Sequence, residues 1–202
     1  MRLLHARLEE EESIPGQIYD ASASAFHLDR RVPEIVVRGR KPHRVLFDGD
    51  LAFSPSFFKM IRRLASAQDD TTFAALAILR DYKVAPTPDA FSYVQRSFGA
   101  ASTTADYRGF LIDEPGPGAP DRVHIEADLI AFVSDSGRWC VWAERDTPAI
   151  IACVDPIDPH WHLDHHEELF DVNEALSSYL PSTFRRPLSG QEQQAFRACL
   201  GG

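Results

Sequence analysis

Half of the eight histidines of this 202-residue chain fall within the short stretch His160–His166. In DPHWHLDHHEEL, Asp158–Leu169, the rings of His160, His162, His165 and His166 stand among Asp164, Glu167 and Glu168. Imidazole nitrogens and carboxylate oxygens are the ligand set of zinc. In extended backbone alternate side chains share a side, so His160 and His162, one on each side of Trp161, point the same way and can chelate one ion. A metal held there would acidify its bound water into a hydroxide nucleophile at neutral pH. The same residues also spell a helix start. Asp164 stands three before Glu167, the spacing of a capping box, and Glu167 and Glu168 would sit near the positive end of the helix. The helix reading leaves the histidines in solvent or at an interface, with no catalytic role, and is the preferred one.

His160 to His165 read His-x-His-x-Asp-His, which resembles the signature of the metallo-β-lactamase superfamily of dinuclear zinc hydrolases. That resemblance implies His160 and His162 on one zinc ion, and Asp164 and His165 on the second. It covers six residues. The superfamily carries the motif early in the chain and completes both shells with later histidines, whereas no histidine follows His166 here. The spacing of His160, His162 and Glu167 also resembles the first motif of the cupins. Val154 and Glu174 stand where that motif has glycines, and its second motif is missing.

Other chemistry-bearing residues have plainer readings. Neither a Gly-x-Ser-x-Gly elbow nor a P-loop occurs. Asp48 and Asp50 of FDGD suggest a cation site, but Asp-Gly is a turn dipeptide and a turn is expected. His124, Glu126 and Asp128 would form a row on one face of a strand. PGPGAP, residues 115–120, is expected to be a surface loop. Arg38, Arg40, Lys41, His43 and Arg44 make EIVVRGRKPHRVLF the most basic segment, expected to be a hairpin edge protected by charge or a small anion- or partner-contacting patch.

The elements that must position these residues follow from periodicity. EIVVRGRKPHRVLF predicts two short strands around a turn at Gly39–Pro42. SPSFFKMIRRLASAQ predicts a helix with Ser54 as cap, Pro55 in the first turn, and Phe57, Phe58, Ile61 and Leu64 on its buried face. DTTFAALAILRDY predicts a second helix capped by Asp70, and DAFSYVQRSFG a short third one ending at Gly99. YRGFLIDE, DRVHIEADLIAFVSD, GRWCVWAER and PAIIACVD predict strands joined by tight turns, hence an antiparallel meander. Within GRWCVWAER, alternation assigns Trp139, Val141 and Ala143 to one face and Cys140, Trp142 and Glu144 to the other. Two closing helices are expected, one from Asp164 with Leu169, Val172, Leu176 and Tyr179 on one stripe, and one over SGQEQQAFRACL. The sum is one α+β domain over residues 1–202, an antiparallel sheet packed with helices.

Thirty acidic against 21 basic side chains give a net charge of −9, which argues against general nucleic-acid binding and suits a basic protein partner. No apolar run is long enough to span a membrane, and MRLLHARLEEEES has no apolar core of signal-peptide length, so a cytoplasmic protein is expected. Cys140, Cys153 and Cys199 are an odd, scattered set, expected to be buried reduced thiols. Finally, Gly137-x-Trp139 entering a strand, Glu144-Arg145-Asp146 at its end and the apolar strand after it resemble a pattern of small bacterial immunity proteins. That resemblance implies a non-enzymatic, cytoplasmic protein-binding protein that needs no cofactor and neutralises a cognate toxin, with a basic toxin domain as partner. The rival is a zinc-dependent hydrolase built on His160, His162, Asp164 and His165.

Overall fold

A computed structural model describes residues 17–79, 93–113, 122–157 and 169–201. Their centre is a seven-stranded sheet in the order β3-β2-β4-β5-β6-β1-β7, and every neighbouring pair is antiparallel. The strands are β1 (His43–Asp48), β2 (Phe73–Leu79), β3 (Tyr93–Phe98), β4 (Ala127–Ser134), β5 (Trp139–Glu144), β6 (Pro148–Cys153) and β7 (Leu169–Phe170). The helices are α1 (residues 17–25), α2 (Phe57–Ala67), α3 (Thr104–Ile112) and the single turn α4 (Val123–Glu126). After β7 comes α5, which is α over Val172–Glu174, π over Ala175–Tyr179 and α again over Leu180–Phe184; α6 (Gly190–Gly201) closes the described chain. The fold is therefore a single-domain α+β arrangement, with β4, β5 and β6 as the expected meander.

Helices cover both faces of the sheet. On the first face Phe47, Ala75, Phe132, Trp139, Val141 and Ile151 pack against Phe57, Phe58, Ile61 and Leu64 of α2 and Tyr107 and Phe110 of α3. On the second face Leu46, Leu76, Leu129, Trp142 and Ile150 meet Phe26 and Val36 of the segment after α1, and Leu176, Leu180, Phe196 and Leu200 of α5 and α6. Trp139 and Trp142 go to opposite faces, as alternation requires, and both are fully buried.

Burial on both faces explains one place where periodicity misled. FAALAIL was expected to be helical, yet it is β2, between β3 and β4. Phe73, Ala75 and Ala77 serve one core and Leu76 and Ile78 the other, so no polar face reveals the two-residue period. Asp70 does not cap a helix; its carboxylate accepts from the Ser136 N–H (3.3 Å) and Ser136 hydroxyl (2.8 Å). The expected short helix ending at Gly99 is β3, an edge strand. YRGFLIDE is not a strand, because Thr103 and Asp106 form a capping box that starts α3. The segment from Arg122 begins with one helical turn before β4. Of the two strands expected around Gly39, the second is β1 and the first shrinks to one bridge, Phe26 with Val37.

The helix expected from Asp164 does not run through Leu169. Leu169 and Phe170 pair with Phe47 and Leu46, and Asp171 caps α5 by accepting from the Glu174 N–H at 2.9 Å. The other two expected helices are present. In α2, Phe57, Phe58, Ile61 and Leu64 are buried, and regular helix begins at Phe57 after a turn over Pro55 and Ser56. Ser189 and Glu192 form a reciprocal cap at the start of α6.

Candidate functional site

A concentration of exposed carboxylates lies where β1 ends and β5 turns into β6. Asp48 accepts from the Asp50 N–H at 3.1 Å and so starts the 3-10 turn Gly49–Phe53. Gly49 donates its N–H to Thr147 O at 3.1 Å. A Cβ on Gly49 would lie 2.3 Å from Glu144 O and 2.5 Å from Thr147 O, so only glycine lets the two turns approach this closely. The approach brings the carboxylates of Asp48 and Asp50 beside Asp146, all three exposed. Asp146 sits at φ 55°, in the left-handed region that aspartate tolerates better than most residues.

Tyr179 closes the cluster from α5. Its hydroxyl donates to Asp48 Oδ1 at 2.9 Å and lies 3.4 Å from Thr147 O. Burial and the Asp48 carboxylate hold the phenol well above its ordinary range. The π turn places this ring: the Leu180 N–H bonds to Ala175 O, and Pro181 has no N–H to continue the α pattern. Phe170, Glu174, Ser178 and Tyr179 line a shallow cleft beside it.

Arg145 is the cation that faces Asp50. Its guanidinium lies 3.8 Å from the Phe53 ring centroid, donates Nε to Ala127 O at 2.9 Å, and reaches Asp50 only at 4.0 Å. Partial burial, Asp48 and Asp146 together push the Asp50 carboxyl up, against the pull of the Asp146 N–H and Arg145. The charges of Asp48 and Asp146 thus add to burial at Asp50, and three carboxylates share this corner with the Arg145 guanidinium. Such a site offers carboxylate acceptors and a field that attracts cationic side chains.

Behind this edge, Glu144 is directed inward. Its Oε2 accepts from the Val32 N–H at 3.1 Å and from Trp142 Nε1 at 3.4 Å. Burial pushes this carboxyl up, against the Val32 hydrogen bond and the charge of Arg31. Glu144 thus fastens the segment after α1 to the sheet.

The candidate metal ligands His160, His162, Asp164 and His165 lie outside the described residues, as do His166, Glu167 and the loop of residues 115–120. Among the described residues no group of three or more His, Cys, Asp or Glu side chains is placed to hold a metal ion. The expected row of His124, Glu126 and Asp128 is not formed. His124 and Glu126 belong to α4, and His124 Nδ1 is 3.1 Å from Leu111 O. FDGD is the turn expected of it, and its sequence signal extended no further. Tyr179, which completes the cluster, was assigned only to a core stripe, because nothing in the local pattern reveals a π turn. Cys140, Cys153 and Cys199 are buried free thiols. No helix of the described residues is long and apolar enough to cross a membrane.

Set beside known proteins, the chain matches no protein family, no curated protein and no solved structure.

Proposed function

We propose that this chain is a non-enzymatic cytoplasmic protein-binding protein, an immunity-type inhibitor that covers a basic domain of a bacterial toxin. The observation that carries the reading is the exposed acidic edge, Asp48, Asp50 and Asp146 around Tyr179. The net charge of −9 extends the same field over the molecule and speeds encounter with a basic surface. The rigid backing of that edge also supports it: Gly49 locks the two turns together, and Tyr179 ties them to α5, so the carboxylates are held in place before a partner arrives. The hairpin β5–β6, which carries the resemblance to immunity proteins, supplies Asp146.

The test is co-expression with a toxin domain encoded beside this gene. The expected result is rescue of growth and a stable complex in solution. Replacing Asp48, Asp50 and Asp146 together by Asn should slow association about tenfold and flatten its salt dependence. Unimpaired binding by that variant would remove the acidic edge from the interface. Stoichiometric zinc in protein purified without a histidine tag would favour the rival hydrolase reading, on His160, His162, Asp164 and His165.

A further inference from the structure

This acidic protein also carries a cationic strap whose side chains form no ion pair among the described residues. The segment from His27 to Lys41 links α1 to β1. It is stitched to itself by the His27 N–H to Val36 O and the Arg38 N–H to Ala25 O, both at 2.8 Å. Two basic side chains near this strap serve the fold. Arg31 bonds to Leu28 O and Arg30 O and lies near Glu144, and Arg44 is half-buried with its guanidinium on Cys199 O.

Of the other four, Arg38 and Arg40 are exposed and Arg30 and Lys41 are half-buried, with the Lys41 charge also felt by Cys140 and Cys153. Arg30 donates to Ile35 O at 3.3 Å and Arg38 donates Nε to Phe26 O at 2.7 Å. A carbonyl fixes a guanidinium without cancelling its charge, and leaves N–H groups of the fork free for a carboxylate. Arg40 is exposed beside Gly39, where the backbone turns at φ +71° into open space, and Lys41 follows. Among the described residues none of the four forms an ion pair, although Asp29 and Glu34 lie in the same segment. The surplus registers on His27, whose pKa is lowered by burial and then by Arg30 and Arg38, against Asp29. Ile35 stands in the middle of the strap and is 49% exposed.

We propose that this strap, with Arg30, Arg38 and Arg40 in the same segment as the exposed Ile35, is a docking surface for an acidic polypeptide segment that carries an apolar side chain. The charge selects carboxylates, and Ile35 supplies a contact that a phosphate backbone would not use. An extended polyanion is disfavoured, because a duplex or an anionic membrane would also meet the field of a −9 protein within a Debye length of about 8–10 Å. This surface is independent of the acidic edge and of the basic partner proposed for it.

The test uses the full chain and a labelled synthetic peptide of alternating Glu and Leu, read by fluorescence anisotropy. The comparison probes are an alternating Lys and Leu peptide, a single-stranded oligonucleotide and vesicles of anionic phospholipid. Saturable binding of the Glu peptide that weakens with salt is expected, with the other probes weaker. Arg38→Ser with Arg40→Ser should weaken it at least about tenfold, and Ile35→Ser severalfold. Arg40→Glu, which disturbs no hydrogen bond among the described residues, should weaken it too, and so guards against a misfolded double variant. His27 should titrate higher in Arg38→Ser, which shows the strap still in place with its field reduced. Absence of saturable binding, equal affinity in the Arg40→Glu variant, or tighter binding of the oligonucleotide or vesicles would overturn the proposal.

Discussion

Gly49→Ala tests the junction on which the acidic edge depends. The added Cβ meets two backbone oxygens, Glu144 O at 2.3 Å and Thr147 O at 2.5 Å. Ordinary contact requires about 3.4 Å or more, so the turns must separate by about 1 Å. Neither oxygen can rotate away as a side chain would. Thr147 O also receives the Gly49 N–H, and Glu144 O accepts from the Thr147 hydroxyl at 3.1 Å. Overpacking of this kind costs about 1–3 kcal/mol, and backbone neighbours place it toward the upper end. Reduced freedom of the unfolded chain returns about 0.4–1 kcal/mol. A net loss of about 1–2.5 kcal/mol remains, which lowers the Tm of a chain this size by about 2–10 °C. Urea unfolding followed by tryptophan fluorescence reads the change. Gly39→Ala is the control for conformational strain alone, since its φ is +71° and nothing lies within 4 Å of the new carbon. A Gly49→Ala protein with an unchanged or raised midpoint would refute the steric argument.

Trp139→Ala and Trp142→Ala should each lower stability by about 3–5 kcal/mol, because each empties a fully buried site in a different core; a midpoint shift from only one would contradict the two-sided sheet. Burial raises the Glu144 pKa, so the folded state holds this proton more tightly than the unfolded one. Its contribution to stability is then greatest below the ordinary glutamate range and falls as pH rises through the raised value. Glu144→Gln should flatten that dependence and be neutral or stabilising near pH 7, whereas Glu144→Ala should destabilise by about 1–3 kcal/mol by orphaning the Val32 N–H; an unaltered pH profile for Glu144→Gln would contradict the assignment. Burial pushes the thiols of Cys140 and Cys153 up to about 12 and that of Cys199 up to about 11, so native protein should resist thiol reagents at neutral pH and react on unfolding; fast labelling of folded protein would show a core more open than described.

Local rules identified the elements whose neighbours differ in polarity. The α2 stripe was legible because Lys59, Arg62 and Arg63 interrupt its apolar residues at helical spacing. The meander was legible because Gly137 and Asp146 mark its turns. Of the elements that escaped, β2 is buried on two sides, α3 is started by less prominent capping residues, and β3 is a half-buried edge strand. Phe73–Leu79 looks helical because Ala and Leu favour helix and nothing polar reports the pleat; its strand state is imposed by β3 and β4 on either side. Likewise, nothing in ALSSYLP marks Tyr179 as the partner of Asp48, since that pairing needs a π turn and a strand from a distant part of the chain. Of the acidic edge, the FDGD turn was visible locally and its assembly with Asp146 and Tyr179 was tertiary.

The strand order also sets an order of events in time. β4, β5 and β6 close through two short turns, so their pairing has little loop entropy to overcome. β1 must find β6 across about half of the chain, pairing Asp48 with Pro148, and β7 pairs along its other side. Contacts of such long range slow folding and tend to form late. Weakening the β4–β5 hairpin should therefore act mainly on the folding rate. Weakening β1, through Leu46→Ala or Phe47→Ala, should act mainly by accelerating unfolding. On that timetable the edge that carries Asp48 and Asp50 is assembled last and released first, and the lifetime of the acidic surface is governed by the docking of a single strand.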